Sequence, residues 1–189
     1  MKKIEIKEFG GPEVLEIKNV DIGKPGQNEV LVKNLSVGIN YIDTYHRSGL
    51  YPIPLPSGIG LEACSILEEV GSEVKLFKVG DRVTRASMPI GTYSEKQIIP
   101  EDKLVKVPDN ISDEVASCIT LKGITAEYLL HRTYQVKKGD KILYHAAAGA
   151  LGQIFCPWAN ALGAEIIGTV GSDEKIEIAK KNGCHHVIN

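Results

Sequence analysis

The chain has 189 residues, 43% of them apolar and 24% charged, and a formal net charge of −2. That balance buries a real core in one domain or two small ones, and it supplies no polycationic surface; nucleic acid and anionic membranes are poor default partners, and a small ligand is the better one. No stretch approaches the roughly 20 apolar residues of a membrane span, and MKKIEIKEFGG at the N-terminus alternates apolar with charged residues where a signal peptide has an apolar run, so the expected location is the cytoplasm.

Up to about residue 108, short apolar or alternating runs closed by turn residues predict a small all-β barrel. Ile4 and Ile6 alternate with charges before Gly10-Gly11-Pro12, and further strands are expected at 14–20, 30–37, 63–70, 81–84, 93–99 and 104–107. YPIPLPSG at 51–58 carries three prolines and reads as an ordered loop. The texture changes at Pro108. Ser112 is placed as a helix N-cap with Asp113 and Glu114 at the positive end of the dipole, and a second helical stretch is expected from about Gly123 to His131. Strand (141–144), small-residue turn, helix, strand (164–170), helix (173–181), strand (186–188) then begins a doubly wound parallel sheet. The fold class is therefore α/β with a β-rich domain, divided as 1–122 and 123–189.

Within HAAAGALGQIFCPWANALG (145–163), Ala147-x-Gly149-x-x-Gly152 follows a strand and opens a helix, the dinucleotide fingerprint with alanine in its first glycine position. Gly149 lets the backbone approach a pyrophosphate, Gly152 lets the helix pack on the strand, and the amides of 148–152, from Ala148 through Ala150 and Leu151, face the phosphate charge. The next strand ends Gly168-Thr169-Val170-Gly171-Ser172, with no acid to bind ribose hydroxyls. Gly171, the Ser172 hydroxyl and the Lys175 cation suit a 2′-phosphate, which favours NADPH over NADH; alternatively Ser172 caps the following helix and Lys175 is solvated. Cys64, Cys118, Cys156 and Cys184 form no C-x-x-C pair and read as reduced, buried thiols, and the neighbours His185 and His186 point to opposite sides of a strand, so no metal site is expected.

These pieces resemble the medium-chain dehydrogenase/reductase superfamily, and within it the zinc-free NADPH:quinone oxidoreductases related to zeta-crystallin. The matching stretches include EFGGPEVL, VGINYIDTYHRSGLYP, LPSGIGLEA, VGDRV, LKGITAEYLL and KGDKILYHAAAGALG, and the similarity covers the whole chain. The resemblance implies a GroES-like barrel followed by a Rossmann domain, with Asn40 and Thr125 approaching the nicotinamide and Tyr45 and Tyr51 lining a quinone pocket. Asn40, Leu61 and Leu121 stand at or near positions where zinc-dependent relatives carry metal ligands. An aromatic product makes a quinone a ready hydride acceptor without a Lewis acid. Other readings stay open: an enoyl or alkenal reductase of the same superfamily, or a non-catalytic or split fragment that binds nucleotide weakly.

Two departures from the pattern carry expectations. Pro157 removes a hydrogen bond to the carbonyl of Gln153 and is expected to cost about 3 kcal/mol or kink a helix whose apolar face is Leu151, Ile154, Trp158 and Leu162. The resemblance also implies an incomplete Rossmann domain, whose first strand (141–144) is an open edge to be covered by a missing C-terminal half or in a homodimer.

Overall fold

Short runs buried on both faces, Val30 to Val32 and Glu62 to Ser65, place two long strands at the centre of the N-terminal half, and they form its spine. The computed structural model describes residues 1–189 and separates into two compact units, Met1–Leu121 and Lys122–Asn189. In the first unit, β1 (Lys2–Ile6), β2 (Glu16–Asn19) and β4 (Ser57–Gly58) form an antiparallel sheet in the order β2-β1-β4. β3 (Glu29–Gly38), β5 (Glu62–Val70), β6 (Arg82–Ala86), β7 (Lys96–Pro100) and β8 (Val105–Lys106) form a second, in the order β7-β3-β5-β6-β8. Val30, Val32, Leu67, Val83, Ile99 and Leu104 fill the barrel core.

Polar clips fix what the apolar core leaves free. Ser65 donates to the Asn34 side chain at 2.7 Å, and the Asn34 amide donates to the carbonyls of Thr92 and Ser94. Arg85, 3% exposed, has no carboxylate partner; its guanidinium donates to the carbonyls of Ser87 and Pro89 and to the side chain of Gln97. Burial without a counter-charge pushes its pKa down to about 10.

Three sequence expectations for this unit change. Residues 41–48, inside the part read as all-β, form a helix, α1 (Tyr41–Ser48), entered from extended Asn40 and closed by Gly49 at φ 80°. Residues 14–20 are strand only from Glu16, because Pro12 starts a single 3-10 turn at Pro12–Val14. The two helical stretches after Ser112 are one continuous helix, α2 (Asp113–Tyr128), which crosses from the first unit into the second and widens into a π turn at Leu129–Thr133. The Ser112 hydroxyl does accept from the amide of Val115 at 3.3 Å, and Gly123 is carried within the helix rather than ending it.

In the second unit β9 (Lys141–Tyr144), β10 (Glu165–Thr169) and β11 (His186–Ile188) form a parallel sheet ordered β11-β10-β9, with α3 (Gly152–Ala161) and α4 (Ile176–Lys181) as the crossover helices. β9 pairs with β10 alone and is an edge. The helix expected over 173–181 begins as a 3-10 turn, Asp173–Lys175, and the Ser172 side chain makes no capping bond to it. α3 continues through Pro157, as the segment's helical reading expected; Pro157 and Gln153 both face solvent, where water can satisfy the freed carbonyl. Its fully buried face is Gly152, Phe155, Cys156 and Ala159, while Leu151, Ile154, Trp158 and Leu162 flank that stripe half-buried. The Tyr144 ring stacks on Phe155 at 4.4 Å between centroids.

All four cysteines are free, and Cys118 is exposed where a buried thiol was expected, because it lies on the outer side of α2. Burial, then the neighbouring Asp113, pushes the Cys64 thiol up to about 11, and burial, then Cys184, pushes Cys156 up to about 12. With a thiol-specific disulfide reagent at pH 8, Cys118 is expected to react quickly in the native protein and the other three only on unfolding, as counted by absorbance. Glycine substitutions probe the packing in both directions. A methyl at Gly168 would sit 2.7 Å from the Cβ of Ala147 and 2.8 Å from Sγ of Cys184, so Gly168→Ala is expected to destabilise by roughly 1–3 kcal/mol. A methyl at Gly123 meets nothing within 4 Å, so Gly123→Ala is expected to stabilise by roughly 0.5–1 kcal/mol. Urea unfolding measures both.

Candidate functional site

The residues expected to meet a ligand fall into two groups, one in each unit. In the first unit, α1 is fixed at its start by a buried carboxylate. Asp43 accepts from the main-chain amide of Asn40 at 2.9 Å and from the Tyr93 hydroxyl at 2.8 Å. Burial, then the Asp43 hydrogen bond and charge, pushes the Tyr93 phenol well above its ordinary value. The Asn40 side chain, 8% exposed, donates to Oε2 of Glu62 at 2.9 Å, and Oε1 of Glu62 accepts from the main-chain amide of Leu121 at 2.7 Å. Tyr45 comes off the same helix and its ring meets Tyr51 edge-on at 5.2 Å, with Tyr41 a further 5.3 Å from Tyr45. Asn40, Tyr45 and Tyr51 are thus gathered around one helix, with Tyr51 half-exposed.

Glu62 was not singled out from the sequence as a site residue, although a glutamate between Leu61 and Ala63-Cys64 in an apolar strand is itself a signal. It has no exposed surface, and a carboxylate in that position must accept hydrogen bonds to be tolerated.

In the second unit the fingerprint turn leaves β9 through Ala146 at φ 56°, and the Ala147 amide donates to the carbonyl of Thr169 at 2.9 Å. That bond ties the turn to the end of β10, so the loops after two adjacent parallel strands open on the same side of the sheet. A methyl at Gly152 would lie 2.4 Å from the Ala147 carbonyl oxygen, which only glycine avoids. Ala147, in place of the fingerprint's first glycine, is accommodated because its methyl packs against Gly168 of β10, which has no side chain to oppose it.

The amides of Ala148, Ala150, Leu151 and Gly152 donate to no main-chain carbonyl. Across from them, Gly171 borders open space, the Ser172 side chain makes no capping bond, and Lys175 is exposed with no ion-pair partner. Asp173, an acid that would oppose an anion here, accepts instead from the Asn189 side chain at 2.6 Å. Uncommitted amides at a helix start beside a free cation fit a bound anion of the dinucleotide class. Thr125 lies half-buried on α2 in the second unit. Trp158, further along α3, lines an open apolar recess of about 690 Å³ with Ile124 and Tyr128.

The Alcohol dehydrogenase GroES-like domain family matches residues 26–109, and the Zinc-binding dehydrogenase family matches residues 150–189. A quinone oxidoreductase from Pseudomonas aeruginosa is 51% identical over 189 residues, covering 100% of this chain. The chain belongs to the medium-chain dehydrogenase/reductase superfamily. A 2-haloacrylate reductase from a Burkholderia species is 47% identical over 97% of the chain. The crystal structure of Escherichia coli quinone oxidoreductase complexed with NADPH superposes over 100% of the chain with a TM-score of 0.97 at 49% identity. This superfamily member spans 58% of the length of the P. aeruginosa and E. coli proteins.

The zinc in the second family's description finds no matching donor set. No group of three or more His, Cys, Asp or Glu side chains is gathered where it could share a metal ion, and Asn40 is committed to Glu62. No helix is long and apolar enough to cross a membrane.

Glu62→Gln leaves one side-chain oxygen for two donors and turns an amide N–H toward one of them. It is expected to destabilise the first unit by about 1–3 kcal/mol, read as a lowered urea midpoint with an unchanged slope.

Proposed function

We propose that this chain supplies the substrate unit, 1–122, and the first part of the nucleotide unit, 123–189, of an NADPH-dependent quinone reductase. The observation that carries the reading is the turn after β9, whose uncommitted amides share one side of the sheet with Ser172 and Lys175. The relatives support it: the E. coli structure is described as complexed with NADPH, and several similar proteins are quinone oxidoreductases.

When bound, NADPH supplies a hydride. The protein's own part is to hold and orient. The amides of Ala148, Ala150, Leu151 and Gly152 face the diphosphate, while the Gly149 amide, expected to join them, is held by the Ala146 carbonyl at 2.8 Å; Gly149 and Gly152 give close approach, and Gly171, Ser172 and Lys175 meet the 2′-phosphate. Asn40 and Thr125 are assigned to the nicotinamide end by the resemblance. Tyr45 and Tyr51 pack against the acceptor ring, and a phenol hydroxyl there donates a hydrogen bond to the oxygen that gains charge. A second reading, reduction of an activated carbon–carbon double bond, is favoured by the 47% identity to a 2-haloacrylate reductase and uses the same residues.

Trp158 is the single tryptophan and reports binding. Titration with NADPH is expected to give a saturable fluorescence change, which Lys175→Glu weakens by about tenfold, ~1.4 kcal/mol, with little effect on NADH. Gly152→Val removes both. Absence of a saturable change together with absence of quinone-dependent NADPH oxidation overturns the reading, and side-by-side turnover of quinones and haloacrylates separates the two substrates.

A further inference from the structure

Two polar atoms on one face of α1 are fully buried without hydrogen-bond partners, Oδ1 of Asp43 and Nδ1 of His46. The side chains are 5% and 7% exposed. Three residues apart on a helix, they are neighbours, with about 5–6 Å between Cβ atoms. Leaving a carboxylate oxygen and a ring nitrogen both unpaired in the interior is costly, and because the two are not bonded to each other, one water between a ring N–H and the carboxylate satisfies both at once. The other ring nitrogen, Nε2, makes no hydrogen bond and is not among the enclosed atoms, so it keeps contact with solvent. The His46 ring lies 6.4 Å from that of Tyr51, which in turn packs on Tyr45.

We propose that Asp43 and His46 form a proton-exchanging pair beneath the Tyr45–Tyr51 rings, in which Asp43 holds the Nδ1 hydrogen and leaves Nε2 to exchange protons with solvent. The function of the pair rests on the reductase reading. A quinone that has accepted a hydride is an oxyanion that still needs one proton to become the hydroquinone. Tyr51 gives its hydroxyl proton to that oxygen, the His46 imidazolium replaces it from Nε2, and solvent returns one proton to Nε2. One proton leaves solvent and one O–H bond forms per hydride. A phenol alone, with an ordinary pKa near 10, is a slow source of that proton. His46 acts through Tyr51 and is a positioning residue. The other titratable or charged groups around it are Tyr93 on Asp43, Tyr45 and Tyr51, Arg47 next in the helix, whose Nε donates to the carbonyl of Gly10, and Glu62 beyond Asn40.

The test is nitrogen NMR on the 189-residue chain with ¹⁵N-labelled histidine rings, His46→Gln identifying the signal among the five histidines. The expected result is a hydrogen on Nδ1 of His46, in the neutral or the imidazolium form, that exchanges slowly and shifts toward Nε2 in Asp43→Asn. A bare Nδ1 with the hydrogen on Nε2 in the unmutated protein overturns the pair, even if Asp43→Asn does not fold. In quinone turnover, His46→Gln is expected to lower kcat about tenfold while leaving the KM for NADPH within about twofold; an unchanged kcat overturns the proton role. An Nδ1 hydrogen in a protein that neither responds to NADPH nor turns over quinone sinks the reductase reading alone, whereas a bare Nδ1 in an active protein sinks the pair alone.

Discussion

A carboxylate with no exposed surface organises the first unit: Glu62 takes one hydrogen bond from the side chain of Asn40, just before α1, and another from the main chain of Leu121, within α2. Its two oxygens therefore join a strand to two helices that are distant in sequence. An apolar side chain of similar volume would fill the space but leave both donors unsatisfied in the interior, which costs more than the burial returns. Gly38 shows how tight the surroundings are, since a methyl there would lie 1.9 Å from the Ser117 carbonyl oxygen and 2.8 Å from Oε2 of Glu62. The anchoring holds the start of α1, from which Tyr45 projects to meet the Tyr51 ring beyond the helix end.

The second unit depends on a backbone constraint instead. A strand, a tight turn and a helix start must come within van der Waals contact for the amides to converge, and Gly152 and Gly168 make that approach possible, one against the Ala147 carbonyl and the other against its methyl. Alanine in the first fingerprint position is thus a paired choice, large at 147 and small at 168. The pairing also explains why the turn can keep its shape above a helix that contains Pro157, since the proline lies on the solvent side and beyond the first turn.

What the sequence revealed follows from how local each feature is. The fingerprint turn was legible because its spacing is fixed within six residues, and the three parallel strands because each is a short apolar run between turns. α1 was hidden among strands, although Asn40, Asp43 three residues on and Gly49 mark its ends, because its buried residues are Asp43 and His46 rather than an apolar stripe. The continuity of α2 was missed because Gly123 reads as a break, and in this helix its backbone cost is absorbed by the turns on either side. Glu62 with Leu121, Ala147 with Gly168, and Asn34 with Ser65 meet across 59, 21 and 31 residues; no local pattern announces such partners.

Arg85 has a consequence for how the first unit responds to its medium. Its guanidinium is held only by neutral oxygens and is almost wholly enclosed, so dissolved ions neither compete for it nor screen a counter-charge. The Arg82–Asp113 contact on the same strand is an ion pair with both side chains partly in water. Rising ionic strength therefore weakens the contact where β6 meets the start of α2, while the hydrogen bonds that tie Arg85 to Ser87, Pro89 and Gln97 hold in brine as in dilute buffer.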